Sequence, residues 1–165
     1  MEIREAKIEE VDQIVPIMLE IANLHSEERP DIFKKKEEKE LEKEIIETLS
    51  NQEFKVLVSC NGKNKIEGVV VCKIKDIKNH KNLKDAKILW IDEICVTKES
   101  RKKGIGKALM QKAKEIAKEE KCEIVELNCW SFNENAIKFY KKIGMQEQRI
   151  NMEFEIKGGK ENEVF

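Results

Sequence analysis

Seven consecutive residues near the middle of the chain combine cations with glycines in a way that suits a phosphate group. They are Arg101, Lys102, Lys103, Gly104, Ile105, Gly106 and Lys107. An amphipathic stretch follows them, and a helix N-terminus there would offer unpaired N–H groups and a partial positive charge. Glycines also let a phosphate approach the backbone closely. The segment predicts a pyrophosphate site, and a basic helix start that binds nothing is the alternative.

Two well-known phosphate loops do not match this segment. A Walker A loop places Ser or Thr after its lysine, whereas Ala108 follows Lys107 here. The dinucleotide fingerprint requires a third glycine where this chain has Leu109. The phosphate chemistry therefore has to come from a different scaffold.

Hydrophobic periodicity predicts the elements that position this loop. Strands are predicted at residues 2–6, 54–60, 66–77, 87–96, 122–130 and 152–156, and helices at 11–29, 34–49, 104–121 and 133–143. The dipeptide Asn61-Gly62 predicts a tight hairpin turn with positive φ, and Gly144 predicts a helix C-cap. The strand, helix and strand between residues 87 and 130 predict a parallel crossover.

Composition limits the classes of function. The chain has 165 residues, which suits one domain, and 39% of them are charged, yet the formal net charge is −1. This balance argues against a protein that grips nucleic acid or an anionic membrane over a wide surface. No apolar run approaches the ~20 residues of a membrane span, and the charged N-terminus is unlike a signal peptide, so we expect a cytoplasmic protein.

Cysteine and histidine give no metal motif. The five cysteines show no C-x-x-C spacing, and most lie in apolar, strand-like runs, so we expect reduced, buried thiols. His25 and His80 lie far apart in polar neighbourhoods and are predicted to be surface residues. We therefore expect no metal.

Three spaced patterns occur in order along the chain: E-I-C-V at 93–96, R-x-x-G-x-G at 101–106, and N-x-x-A-x-x-x-Y-x-x-x-G at 133–144. Together they resemble the Gcn5-related N-acetyltransferase (GNAT) superfamily. The resemblance implies an α/β (α+β) fold, with a mixed, mostly antiparallel twisted sheet flanked by helices. It also implies a single domain over residues 1–157, with a polar tail at 158–165.

The cofactor implied by the resemblance is acetyl-CoA, bound where the strand carrying residues 94–96 separates from its parallel neighbour. Its pantetheine would pair with the backbone of Ile94 and Val96, with Cys95 between them and near the thioester. Its pyrophosphate would lie on the amides of residues 102–107, with added charge from Arg101, Lys102 and Lys103. Asn133 and Ala136 would line the cofactor.

Acetyl transfer to an amine needs a base, because an amine of pKa ~10.4 is protonated at pH 7 by ~4.6 kcal/mol. Glu93 is the candidate, acting through water, and a salt-bridged or solvent-facing glutamate is its alternative. Asp92 would face the other side of the strand if the pleat is regular. Only one of the two carboxylates could then serve.

The resemblance assigns the remaining chemical roles. The Val96 N–H would stabilise the charge on the carbonyl oxygen, and Tyr140 would protonate the departing thiolate. A tyrosine that only packs against its helix is the alternative. Transfer would be direct, in a ternary complex, without a covalent intermediate on Cys95.

Three readings of the function remain at this point. The first is an acetyl-CoA-dependent N-acetyltransferase acting on a primary amine of a small molecule or protein. The others are an inactive acyl-CoA-binding module and, more weakly, a nucleic-acid binder using the basic loop. The resemblance leaves a homodimer open and assigns the acceptor to residues 24–33 and 76–86.

Overall fold

The computed structural model describes residues 1–156 and shows a mixed five-stranded sheet with four α-helices. In chain order the elements are β1 (Glu2–Glu5), α1 (Val11–Glu28), α2 (Glu38–Ser50), β2 (Phe54–Cys60), β3 (Ile66–Ile77), β4 (Ala86–Val96), α3 (Ile105–Glu119), β5 (Ile124–Leu127) and α4 (Glu134–Lys142). Short 3-10 turns at Ile8–Glu10 and Lys98–Ser100 precede α1 and follow β4. The predicted α+β class is confirmed.

The sheet has the order β1-β2-β3-β4-β5. The pairs β1–β2, β2–β3 and β3–β4 are antiparallel. The pair β4–β5 is parallel, as the predicted crossover requires. The β4–β5 pairing begins at Ile88 and Ile124 and stops at Ile91 and Leu127. The second half of β4 is therefore not paired with β5.

Helices cover both faces of the sheet. The helices α1 and α2 share one buried cluster with side chains such as Val56, Val69 and Cys95. The opposite face receives α3, whose Ile105 and Leu109 lie against Gly68 of β3. Because the centre of β2 and the first half of β3 are covered on both faces, residues 56–58 and 69–72 are continuous apolar runs rather than alternating ones.

The helix α3 owes its position to a regular apolar stripe. Its buried residues are Ile105, Leu109, Met110, Ala113, Ile116 and Ala117. These positions recur at three- and four-residue steps and form one face, while lysine and glutamate occupy the other. This stripe determines which side of α3 packs on the sheet and so helps to position the N-terminus of the helix.

Three local predictions are wrong. The β2–β3 hairpin exists, but positive φ falls at Asn64 (57°) rather than at Gly62, and the Asn61 side chain accepts the N–H groups of Lys63 and Lys65. The predicted helix at 34–49 begins only at Glu38. Residues 152–156 form no strand, and their alternating apolar side chains are exposed.

The chain divides into two compact units, Met1–Phe132 and Asn133–Phe165. In the second unit α4 ends with Gly144 at φ 94°, which confirms the predicted glycine cap. None of the described helices combines the length and the apolar character of a membrane span. One domain over 1–157 stays a prediction, and the predicted polar tail at 158–165 lies outside the described residues.

Gly68 allows α3 to approach the sheet closely. A Cβ at this position would lie 2.9 Å from Ile105 Cγ2, 3.1 Å from Leu109 Cδ1 and 3.2 Å from the Cys95 carbonyl oxygen. One of these neighbours is backbone and the other two belong to the packed stripe of α3, so none can withdraw cheaply. The spacing between β3 and α3 thus depends on the absence of a side chain.

We expect Gly68→Ala to lower the free energy of unfolding by about 1–3 kcal/mol, the usual cost of overpacking a core. Urea unfolding followed by circular dichroism measures the change. Gly62→Ala is the matched control, because a Cβ at Gly62 meets nothing within 4 Å. Equal unfolding midpoints for the two variants would show that α3 does not depend on this close approach.

Candidate active site

A β-bulge at Asp92 shapes the centre of β4. In the β3–β4 register Ile91 pairs with Cys72 and Glu93 pairs with Val71, so Asp92 is an extra residue with no partner. A bulge bends its strand and breaks the alternation of side chains. The pleat is therefore irregular here, and the expectation that Asp92 and Glu93 face opposite sides is wrong: both line the same cavity.

The bulge also marks where β4 leaves β5. Pairing between the two strands stops at Ile91, immediately before Asp92. Beyond it, Thr97 donates its N–H to the Glu67 carbonyl of β3 at 3.0 Å. Because alternate residues of an antiparallel strand direct their polar groups to opposite sides, the N–H groups of Ile94 and Val96 point away from β3. Within the described chain, no strand pairs with that edge.

Glu93 is a half-buried carboxyl with an unusual ionisation. Burial, and secondarily the negative charge of Asp92, raise its pKa from the ordinary 4.5 to about 7, while Lys36 acts in the opposite direction. Asp92 itself is held firmly, since it accepts a hydrogen bond from Trp90 Nε1 at 2.7 Å and lies 3.3 Å from Lys73 Nζ. The two adjacent carboxyls therefore differ in environment, and burial brings the pKa of Glu93 close to neutrality.

A cavity of about 370 Å³ opens between α1, α2 and the sheet. Asp92 and Glu93 lie in its lining, and so do His25 and Phe33. Its walls are mostly aliphatic and include Met18, Ile21, Ala22, Leu41, Ile45 and Leu49. The volume is at the low end of the usual range for small-molecule sites. Residues 76–86, which the resemblance also assigned to the acceptor, do not line it.

The basic loop passes through left-handed backbone at two positions and then starts α3. Lys102 has φ 63° and Gly104 has φ 85°. Gly104 is the N-cap of α3, and no side chain caps it. The first helical bond runs from the Ala108 N–H to the Gly104 carbonyl at 3.0 Å. The amides of Ile105, Gly106 and Lys107 precede that bond, so the helix presents the kind of N-terminus that binds anions.

The side chain of Arg101 contacts β4 and α1. Its Nε donates to the Val96 carbonyl at 3.1 Å, and its guanidinium forms an ion pair with Glu20 of α1. Nearby, Ser100 donates to Glu67 at 3.1 Å and is buried. In the structure these contacts anchor the start of the loop, whereas Lys102, Lys103 and Lys107 are exposed. Arg101 therefore differs from the lysines in its role.

Four aromatic rings cluster in the first unit. His25 stacks on Phe33 with ring centroids 4.9 Å apart, and Trp130 stacks on Phe132 at 6.0 Å. Edge contacts of 5.9 Å and 5.2 Å join the two stacks. The surface position predicted for His25 is therefore wrong, since His25 is half-buried and burial lowers its pKa. His80 is exposed, as predicted.

The second unit holds the remaining predicted site residues. Asn133 is the N-cap of α4, and its side-chain oxygen accepts the Ala136 N–H at 3.2 Å. Tyr140 lies on the same helix, half-buried, with its ring 5.3 Å from that of Phe139. Asn133 and Ala136 thus have a local structural role at the start of the helix.

Sequence analysis missed the cavity walls and the aromatic cluster. Met18, Ile21 and Ala22 continue the apolar stripe of α1, and a stripe facing a cavity has the same pattern as one facing a core. The strand predicted over 122–130 is shorter in the structure, since β5 covers only Ile124–Leu127, so Trp130 and Phe132 lie in the irregular segment that follows it. All five cysteines are free. Among residues 1–156, no three His, Cys, Asp or Glu side chains gather as a metal site would require.

Comparisons with known proteins give a consistent result. The model of the acetyltransferase (GNAT) family matches residues 18–145. An uncharacterised N-acetyltransferase of Methanocaldococcus jannaschii is 37% identical over 91 residues, which are 55% of this chain and 39% of that relative. The match thus spans about two fifths of the relative's length.

Solved structures resemble the chain along nearly its whole length. A mutant of the BH1408 protein from Bacillus halodurans matches with a TM-score of 0.90 at 25% identity, covering 94% of this chain and 99% of that one. The aminoglycoside N-acetyltransferase AAC(6')-Iy in complex with CoA matches at 0.74 and 12% identity, covering 94% of both, and so shares the fold. By its sequence match and its fold, this chain belongs to the GNAT acetyltransferase family.

Proposed function

We propose that the protein is an acetyl-CoA-dependent N-acetyltransferase that acts on a primary amine in a ternary complex. The observation that carries the proposal is Glu93, a half-buried carboxyl whose pKa is raised to about 7 beside the bulge that opens the edge of β4. A strongly shifted carboxyl in a cavity is typical of a general base. Family membership supports the reaction class.

Three features of the first unit support acetyl-CoA as the cosubstrate. The edge of β4 at Ile94, Cys95 and Val96 would receive the pantetheine as an added strand. The uncapped start of α3, with exposed Lys102 and Lys103, would receive the pyrophosphate. The open space beside Gly104, where a Cβ meets nothing within 4 Å, leaves room for a phosphate. The resemblance adds Asn133 and Ala136 as residues that would line the cofactor.

Acetyl-CoA supplies an activated thioester, so that a C–S bond is exchanged for a C–N bond, giving the acetylated amine, the CoA thiol and one released proton. Glu93 takes the proton from the ammonium, directly or through water. Its pKa of about 7 leaves it substantially ionised at neutral pH, yet more basic than an ordinary carboxylate. The Val96 N–H donates to the carbonyl oxygen, which a well-placed amide stabilises by ~3 kcal/mol.

The remaining parts of the proposal come from the family resemblance. Tyr140 is assigned as the acid that protonates the thiolate. The acceptor is an amine of a small molecule or a protein, and the functional unit is one cytoplasmic domain over residues 1–157. An inactive acyl-CoA-binding module is the outcome that the experiments below would reveal if CoA binds and no amine is acetylated.

Removal of the base tests the central assignment. We expect Glu93→Gln to reduce kcat/KM at least ~100-fold, because general-base catalysis contributes that much or more. CoA affinity measured by calorimetry should stay unchanged. In the wild type, kcat/KM should rise as pH increases through about 7, because Glu93 must be ionised to act.

Asp92→Asn is the matched variant for that profile. Because the charge of Asp92 contributes to the raised pKa of Glu93, this variant should shift the acid limb of the kcat/KM profile to lower pH. Stability gives an independent check. The folded protein holds the Glu93 proton between pH 4.5 and about 7 when the unfolded chain has lost it, so this group makes the free energy of unfolding fall as pH rises through that window. Glu93→Gln should remove that slope, and an unchanged slope would contradict the raised pKa.

A pair of isosteric substitutions at Gly104 tests the phosphate site. Gly104→Asp and Gly104→Asn impose the same side-chain shape and the same strain at φ 85°, but only the first adds a negative charge. We expect the Asp variant to bind CoA at least tenfold more weakly than the Asn variant at low salt, with a difference that shrinks as salt is added. Equal affinities would show that α3 does not hold the pyrophosphate.

Tyr140→Phe removes one hydroxyl from α4. We expect a decrease in kcat of at least tenfold with little change in CoA affinity, because the acid acts on the departing thiolate and not on binding. Stopped-flow detection of free CoA thiol measures the rate. Phe139→Leu, which alters the neighbouring ring and keeps the hydroxyl, is the control for packing. A wild-type rate in Tyr140→Phe at every pH would exclude Tyr140 as the acid.

A further inference from the structure

The cavity beside Glu93 is asymmetric in its chemistry. Carboxylates of β4, Asp92 and Glu93, contribute to its lining, as do two stacked rings, His25 and Phe33. The other lining side chains are mainly aliphatic, from α1, α2, β2 and β3. A ligand that fills this space therefore needs a polar group that suits carboxylates and a body that tolerates apolar walls.

The charges favour an ammonium beside β4. Among the described residues, no hydrogen bond or ion pair to the half-buried Glu93 carboxyl is present, and the positive charge of Lys36 acts on it without such a contact. The Asp92 carboxylate accepts a hydrogen bond from Trp90 and forms an ion pair with Lys73. Its negative charge also acts on Glu93. A cation beside Glu93 would offset the free-energy cost of burying the ionised Glu93 carboxylate next to Asp92.

Elsewhere in the cavity the charges do not favour a second ammonium. Glu44 is the other carboxylate of the lining, and Lys36 already forms an ion pair with it. Lys34 also contributes to the lining and would repel a cation. Moreover, a charged group against Ile21, Ala22 or Leu49 would lose its hydration without gaining a partner. The lining therefore disfavours polyamines and other polycationic acceptors.

We infer that the acceptor is an apolar monoamine: a primary amine on an alkyl or arylalkyl body, with its nitrogen at Asp92 and Glu93 and its body along α1 and α2. This inference rests on the proposed acetyl transfer and specifies its substrate class. The rings of His25 and Phe33 supply a flat apolar surface for the end of that body, and Trp130 and Phe132 extend the aromatic cluster.

A homologous series of amines tests the inference. We expect kcat/KM to rise about fourfold for each methylene from ethylamine to hexylamine, the fold-change that corresponds to the ~0.8 kcal/mol of a buried methylene. The matched diamine is 1,5-diaminopentane, in which a second ammonium replaces the terminal methyl group of hexylamine. We expect its kcat/KM to be at least tenfold lower than that of hexylamine. Rates independent of chain length, or a diamine equal to hexylamine, would overturn the inference.

A binding experiment separates this inference from the proposed function. Hexylamine should bind to the CoA-saturated protein in a calorimeter, and Ala22→Phe, which fills the cavity from α1, should weaken that binding at least tenfold. Glu47→Phe adds the same ring on the exposed side of α2 and should leave binding unchanged. Both variants should keep the wild-type circular dichroism spectrum.

The outcomes distinguish the two failures. If hexylamine binds, Ala22→Phe weakens the binding and no amine is acetylated, the site stands and the enzymatic proposal fails. If amines are acetylated without preference for the apolar series, the enzyme stands and the inference fails. Absence of both binding and acetylation would overturn both.

Discussion

The extra residue in β4 is the constraint on which the rest of the first unit depends. Up to Ile91, β4 is an interior strand that pairs with β3 and β5, and from Asp92 onward it pairs with β3 alone. The same bulge turns Asp92 and Glu93 toward one cavity. A single irregularity therefore produces both an open backbone edge and a pair of adjacent carboxyls. The helix α3, positioned by its close contact at Gly68, brings an uncapped N-terminus to the end of this strand.

The electrostatics of the site follow from the different surroundings of two neighbouring carboxyls, those of Asp92 and Glu93. Asp92 has an indole N–H and an ammonium as partners, whereas Glu93 is half-buried without such partners, and burial raises its pKa to about 7. The chain has a net charge of −1 despite its many charged residues. Charge is therefore sorted locally, with two adjacent carboxyls at the bulge and exposed lysines at the start of α3.

Much of the fold could be predicted from sequence, because β2, β3 and α3 have strong and simple patterns. Richness in Val and Ile on either side of the Asn61-Gly62 turn predicts Phe54–Cys60 and Ile66–Ile77 to the residue. The bulge could not be predicted, since one extra residue leaves the hydropathy of residues 87–96 unchanged. Alternation alone predicted a strand at 152–156, but a strand needs a partner, and none is described there. The basic loop was found because its cations are adjacent in sequence, whereas the cavity joins residues from five elements.

The contacts of Arg101 link two parts of the first unit that sequence keeps far apart. Glu20 belongs to α1, which also supplies Ala22 to the cavity wall, and Arg101 begins the loop that leads to the start of α3. A displacement of Glu20 relative to the loop would change this ion pair, and the same Arg101 side chain donates to the Val96 carbonyl. Any free energy transmitted through them is reciprocal, so that whatever a ligand at the loop does to affinity in the cavity, a ligand in the cavity does equally to affinity at the loop.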